Sequence, residues 1–177
     1  MKKIILTSLI ILSFTAVSNA QQDPQYTQYM YNLSLINPAY TGSKDGLSLG
    51  ALYRKQWVNI EGAPNTLTFF AHSPVKKNVG LGLSVSNDRL GPVEETNVYG
   101  DFSYTLNLNE DHKLAFGIKT GATFHKIDFS IIYPTLMDPD DVFSQSNPNI
   151  TSVNFGFGLF YYSQKFYLSL SIPNVLE

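Results

Sequence analysis

The 177-residue sequence contains no cysteine and few charged residues. The lack of cysteine excludes disulfide bonds, thiolate metal sites and a cysteine-linked lipid anchor. Charged residues make up only 15% of the chain, and the formal net charge is −2. A protein that binds nucleic acid needs a clustered basic surface to neutralise phosphates. We therefore expect no nucleic-acid partner.

Long apolar runs are also missing, and the most apolar stretch lies at the N-terminus. Lys2 and Lys3 precede an apolar stretch over residues 4–17, which ends in Ser18-Asn19-Ala20. This stretch contains polar residues and is too short to span a bilayer as a helix. Basic residues, an apolar centre and small residues before a cleavage point are typical of a secretory signal peptide. The sequence predicts export through the Sec pathway with residues 1–20 removed; the alternative is a membrane-anchoring helix or a helix of the folded domain.

Residues 21–46 show the periodicity of neither a helix nor a strand. Asn37-Pro38 and Thr41-Gly42 are dipeptides that favour turns. Tyrosine and proline are concentrated here, and tyrosine suits protein contacts better than a plain spacer requires. We predict an irregular periplasmic lead-in or plug that packs against or inside the domain that follows. Its aromatic residues are Tyr26, Tyr29, Tyr31 and Tyr40.

From residue 47 onward, apolar and polar side chains alternate with a period of two, which indicates β-strands. The clearest case is 79–86, where valines and leucines alternate with glycines and serines. No segment has a convincing helical pattern. Connections of different length separate the segments, and 87–95 is expected to be one of the longer ones. The seven predicted strands are 47–57, 66–72, 79–86, 97–108, 113–125, 153–161 and 166–172.

The composition of the polar face separates a membrane barrel from a soluble sandwich. A sandwich exposes that face to water and usually carries lysine and glutamate there. Here the face is mostly glycine, serine, asparagine and threonine, which suits the interior of an outer-membrane barrel. We predict an antiparallel outer-membrane β-barrel over 47–177. Seven strands and an unpaired edge would leave backbone groups unsatisfied in lipid. We therefore expect a truncated N-terminal half, with assembly with a partner as the alternative.

The text of the sequence resembles a known family in four stretches. They read QDPQYTQYMYNLSLINPAYTGS from Gln22, LSLGALYRKQWVNIEGAPNT from Leu47, VGLGLSVSNDRLGPVEET from Val79 and LAFGIKTGATFHKIDFS from Leu114. These resemble the PorP/SprF family of type IX secretion membrane proteins of Bacteroidetes. The resemblance implies a non-enzymatic outer-membrane barrel tied to protein secretion and gliding motility. Its implied partners are type IX secretion components, a secreted cargo protein and outer-membrane lipid.

Two groups of residues are candidates for function. We expect Trp57 to be a membrane-interface anchor, with Arg54 pointing into the barrel. Arg54 would then hold the lead-in against the barrel as a docking surface, unless the whole 54–57 cluster serves only as an interface anchor. The predicted docking or plug residues are Tyr26, Tyr29, Tyr31, Asn37, Pro38, Tyr40 and Arg54.

No motif predicts catalysis, a metal site or a cofactor. His72, His112 and His125 have no ligand spacing, and the acidic run at 138–141 lacks the spacing and glycine of a calcium loop. Nucleophile elbows and phosphate-binding glycine loops do not occur. We therefore expect an accessory of type IX secretion. A small-molecule diffusion channel or transporter and a secreted soluble β-sandwich adhesion domain are the alternatives.

Overall fold

The computed structural model describes residues 33–128 and 149–176. The predicted signal peptide, Tyr26, Tyr29, Tyr31 and the acidic run at 138–141 lie outside these residues. The described part contains two short 3-10 helices, Leu33–Leu35 and Pro38–Tyr40, and seven β-strands. None of its helices has the length and apolarity needed to cross a membrane. The strands are β1 Ser48–Lys55, β2 Asn65–Lys76, β3 Val79–Leu90, β4 Val93–Asn107, β5 Lys113–Ile127, β6 Asn149–Tyr162 and β7 Tyr167–Ile172.

The seven strands form one antiparallel sheet in which each strand pairs with its neighbour in the sequence. The sheet curls into a half-barrel, which confirms the predicted all-β, barrel-like fold. Because neighbouring strands pair residue by residue, the alternation in one strand continues in the next through the register. Gly117 of β5, for example, lies opposite both Ser103 of β4 and Gly158 of β6. The small residues of several strands therefore line one face together.

In this sheet the apolar side chains are exposed and the polar ones are buried, the reverse of the pattern in a water-soluble protein. The convex face carries large apolar side chains that are about half exposed, such as Leu83, Ile118 and Phe157. The concave face carries polar side chains that are buried. The sequence-based assignment of the two faces is thus confirmed, and this arrangement is the one expected of a barrel wall in lipid. The buried polar residues of the strands are Thr68, His72, Ser84, Ser86, Asn97, Asp101, Ser103, Lys119, Thr123 and Asn154.

Several predicted strand ends differ from the structure: β2 continues to Lys76 instead of residue 72, and β6 begins at Asn149 instead of residue 153. The connection expected over 87–95 is wrong, because β3 and β4 are separated by Gly91-Pro92 alone. Cross-strand polar contacts extend this hairpin, including a 3.0 Å ion pair between Arg89 and Glu94. The first strand ends at Lys55 rather than at residue 57, since Trp57 has a φ of +48° that does not fit an extended strand.

Candidate functional site on the concave face

Residues 33–43, here called the inner segment, pack against the concave face of the sheet. The dipeptide Asn37-Pro38 sets the local shape of this segment. Proline restricts φ and suits the first position of a short helix. The Asn37 side chain caps that helix, because its Oδ1 atom accepts the N–H of Ala39 at 2.9 Å. These tight turns direct several backbone carbonyls of the inner segment toward the sheet.

Asn37 ties the middle of the inner segment to β6 and β7. The residue is fully buried. Its Nδ2 atom donates to the carbonyl oxygen of Leu159 at 2.9 Å and to the Oγ of Ser169 at 2.8 Å. With the cap to Ala39, the Asn37 side chain uses both its donor and its acceptor groups inside the protein. Removal of a partner from such a buried amide leaves polar atoms unsatisfied, which destabilises the contact.

Lys119 of β5 holds the first turn of the inner segment. Its Nζ atom donates to the carbonyl oxygen of Leu35 at 2.6 Å and lies 3.4 Å from that of Ser34. The Nζ atom is also 3.8 Å from Oδ1 of Asp101, and both side chains are almost completely buried. The Tyr99 ring lies 5.4 Å from the same ammonium group. Burial of an ammonium group is unfavourable without polar partners, and the inner segment supplies one of them through the Leu35 carbonyl.

Thr41 and Gly42 fix the end of the inner segment near β2 and β4. The Ser103 hydroxyl donates to the carbonyl oxygen of Thr41. The N–H of Gly42 donates to Nδ1 of His72 at 3.3 Å. Gly42 has a φ of +73°, which favours glycine. The chain can therefore turn here and lead into β1 while its backbone remains close to the sheet.

Glycines in the strands make room for the inner segment. A Cβ atom at Gly158 would overlap Oδ1 of Asn37, and one at Gly117 would overlap the backbone nitrogen of Ala39. At Gly80 a Cβ atom would overlap the carbonyl oxygen of Thr41. The alternating glycines of the sequence predict a crowded interior, and at Gly80, Gly117 and Gly158 the chain's own inner segment occupies it.

Tyr40 adds an aromatic contact to these polar ones. Its ring meets the His72 ring edge-on, with the centroids 5.6 Å apart, and the Phe160 ring at 5.3 Å. Ala39, Ala115 and Phe160 form a small buried apolar cluster beside it. Edge-to-face aromatic pairs add to the stability that burial provides. Tyr40 therefore packs against both sides of the half-barrel, through β2 and β6.

The structure brings together three of the predicted site residues. Asn37, Pro38 and Tyr40 lie side by side on the concave face. Arg54 lies near the far end of β1, opposite Thr66, and Trp57 follows that strand with its side chain exposed. Since no described contact tests the roles assigned to them, the docking role of Arg54 and the anchor role of Trp57 stay predictions.

Sequence reasoning missed the strand residues that hold the inner segment, above all Asp101 and Lys119. A signal was available, because these two opposite charges lie on the small, polar face of neighbouring strands. They are also direct partners in the β4–β5 register. The histidines are dispersed as expected: Nδ1 of His112 lies 2.8 Å from the Tyr161 hydroxyl, and His125 is 3.5 Å from Glu95.

Comparison with known proteins gave one family. The model described as "Type IX secretion system membrane protein PorP/SprF" matches residues 18–177. The matched range includes the inner segment and all seven strands. Searches of curated proteins and of solved structures gave no match.

Proposed function

Because the chain belongs to the PorP/SprF family of type IX secretion system membrane proteins, we propose that it is a non-enzymatic accessory of secretion in the outer membrane. Its role is to bind a secreted cargo protein or a periplasmic component of the secretion system. The observation that carries this proposal is the inner segment, which occupies the concave face through contacts of Asn37, Thr41 and Lys119. A scaffold with a filled interior suits docking better than solute flow.

The convex face supports a position in the membrane. Its half-exposed leucines, isoleucines and phenylalanines would be unfavourable in water, whereas hydrocarbon accepts them. Trp57 lies beyond the end of β1 and is 64% exposed. Tryptophan at the edge of an apolar band suits the membrane interface, so Trp57 is assigned there as an anchor. Such a face also argues against a secreted soluble adhesion domain.

The lead-in is assigned the docking function together with the barrel interior. Within it, Tyr40 is packed while Asn37 is fully buried, so these two residues position the segment rather than contact a partner. The partner contacts are assigned to Tyr26, Tyr29 and Tyr31, which precede the packed part of the chain. Arg54 is assigned a supporting role on the barrel side.

Deletion of residues 23–40 in the native host tests the docking role. The variant should still insert in the outer membrane, which heat-modifiable migration on gels would report, but should no longer support surface display of its cargo. A combined Tyr26→Ala/Tyr29→Ala/Tyr31→Ala variant serves as the second test, because it leaves the packed residues 33–43 intact.

The outcomes of these two tests separate the competing functions. Loss of display with normal insertion in the triple-tyrosine variant supports docking. Normal display in both variants would refute it. Increased permeability to small solutes after the deletion, with normal display, would instead support a diffusion channel.

A further inference from the structure

A cavity of about 420 Å³ lies where the inner segment leads into β1. It is bordered by residues 42–45, by the β2–β3 turn and by the adjoining ends of β4, β5 and β6. The turn is tied to β4, because the N–H of Thr105 donates to the carbonyl oxygen of Asn78 at 2.8 Å. The volume of the cavity is in the range of ordinary ligand pockets. The walls are thus formed before any ligand arrives.

Four lysines line this cavity against a single carboxylate. Lys44, Lys76, Lys77 and Lys113 border it together with Asp45. None of these lysines forms an ion pair with a carboxylate of residues 33–128 or 149–176. Like charges that converge without neutralisation repel each other and attract an anion. The cavity therefore has an excess of positive charge that its own walls do not balance.

The cavity faces the interior of the half-barrel rather than the membrane. Asn107, Lys113 and Tyr162 follow one another across β4, β5 and β6 in direct register. They have the same parity as the buried polar residues, on the face opposite the apolar one. The Lys113 ammonium lies 5.8 Å from the centre of the Tyr162 ring, which favours its inward position. This inward-facing wall favours an anion that arrives from water at the end of the sheet over the headgroup of a surrounding lipid.

We propose that this cavity binds an acidic segment of a partner polypeptide that carries at least two carboxylates. The inference rests on the proposed function and deepens it, since it names a place and a chemistry for the partner. Three of the four lysines are exposed, and single contacts of such lysines with carboxylates are weak. Useful affinity therefore requires several contacts on one ligand. A peptide can reach Lys44 beside the inner segment, the lysines of the β2–β3 turn and Lys113 of β5 at once, whereas a small ion cannot.

A direct binding measurement tests the proposal. The purified full chain in neutral detergent is titrated against fluorescein-labelled hexaglutamate, with labelled hexaglutamine as the uncharged control, and anisotropy is recorded. Hexaglutamate should bind and hexaglutamine should not. The affinity should fall as salt is raised, because salt screens exposed charges.

The matched variants differ only in where three lysines are removed. Lys76→Gln/Lys77→Gln/Lys113→Gln should weaken hexaglutamate binding by about tenfold, the size expected for the loss of several exposed charge pairs. The control Lys55→Gln/Lys126→Gln/Lys165→Gln removes the same net charge outside the cavity and should bind normally. Equal affinity of the two variants would overturn the proposal. Displacement of the peptide by an equal concentration of inorganic phosphate would also overturn it, in favour of a small-anion site.

Failure of this inference is distinguishable from failure of the proposed function. Insertion and cargo display after the deletion of residues 23–40 depend on the lead-in, not on the three cavity lysines. If hexaglutamate does not bind while the deletion abolishes display, the docking role stands and the acidic-partner site falls. If the deletion leaves display normal, the docking role falls whatever the peptide does.

Discussion

Ile118 and Lys119 are neighbours in β5, yet they meet opposite surroundings. Ile118 points to the convex face and is 47% exposed, whereas Lys119 points to the concave face and is 2% exposed. In a water-soluble protein, the isoleucine would be expected inside and the lysine on the surface. The pair shows that the outer face of this sheet is adapted to an apolar solvent, while its inner face is adapted to polar backbone.

The two faces also differ in how specific their contacts are. On the convex face, one apolar side chain can replace another, because lipid imposes no fixed shape. On the concave face, Asn37, Lys119 and Gly158 each meet a particular atom of another part of the chain. We therefore expect conservative changes to be tolerated outside and poorly tolerated inside.

The largest effect is expected for Lys119→Met. It leaves Asp101 buried without its cation and the Leu35 carbonyl without this donor, which should destabilise the protein by about 3–5 kcal/mol. Urea unfolding of detergent-solubilised protein measures the loss. The double variant Lys119→Met/Asp101→Leu removes both charges and should recover part of the stability. A double variant no more stable than the single one would contradict the ion-pair assignment.

Ile118→Lys tests the outer face at the neighbouring residue. Ile118 lies near the centre of β5 and opposite Phe102 and Phe157, so an ammonium there should lower stability in lipid by about 2–4 kcal/mol. Folding into lipid vesicles is the measurement, with Ile118→Leu as the matched control. Equal folding of the two variants would mean that this face does not contact hydrocarbon.

Gly158→Ala tests the close approach of the inner segment. The added methyl group would overlap the Asn37 side chain, and we expect a loss of about 1–3 kcal/mol from overpacking. Gly100→Ala is the control in β4, since its Cβ would have its nearest neighbour 3.9 Å away. Limited proteolysis should cut residues 33–43 faster in Gly158→Ala only. Equal cleavage of the two variants would argue against close packing at Gly158.

Asn37→Ala should have the smallest effect of the four, about 1–2 kcal/mol. It removes the cap to Ala39 and the bonds to β6 and β7, but it creates no overlap. Hydrogen exchange at the Ala39 amide should increase, because this N–H loses its acceptor. Asn109→Ala, in the β4–β5 turn, is the control and should leave that amide protected. Unchanged exchange in Asn37→Ala would exclude the cap as a stabilising contact.

Much of the fold could be predicted because alternation is a local property. The period of two from residue 47 indicated seven strands and separated the two faces, as in the alternating valines, leucines, glycines and serines of 79–86. Prediction failed over 87–95, where Asn87, Arg89 and Glu94 offered no apolar alternation. Their strand structure depends on contacts across the β3–β4 hairpin, including the Asn87 side chain's 2.9 Å bond to Glu94.

The candidate site was less predictable than the sheet. The turn dipeptides Asn37-Pro38 and Thr41-Gly42 indicated an irregular segment that packs against the strands. They did not indicate which strand atoms it meets. Asn37 lies 122 residues from Leu159 in the sequence, and Lys119 lies 84 from Leu35. Such contacts depend on the curl of the sheet, which no local pattern encodes.

The sequence by itself determined the all-β class, the strand order along the chain and the face to which each side chain points. These properties follow from side-chain alternation and from the tendency of consecutive strands to pair with each other. Only the tertiary structure decided that the inner segment occupies the concave face, that Lys119 and Asp101 are buried beside it, and that four lysines converge at its end. The physical reason is that burial and charge proximity depend on distances between remote parts of the chain, and those distances exist only once the sheet has curled.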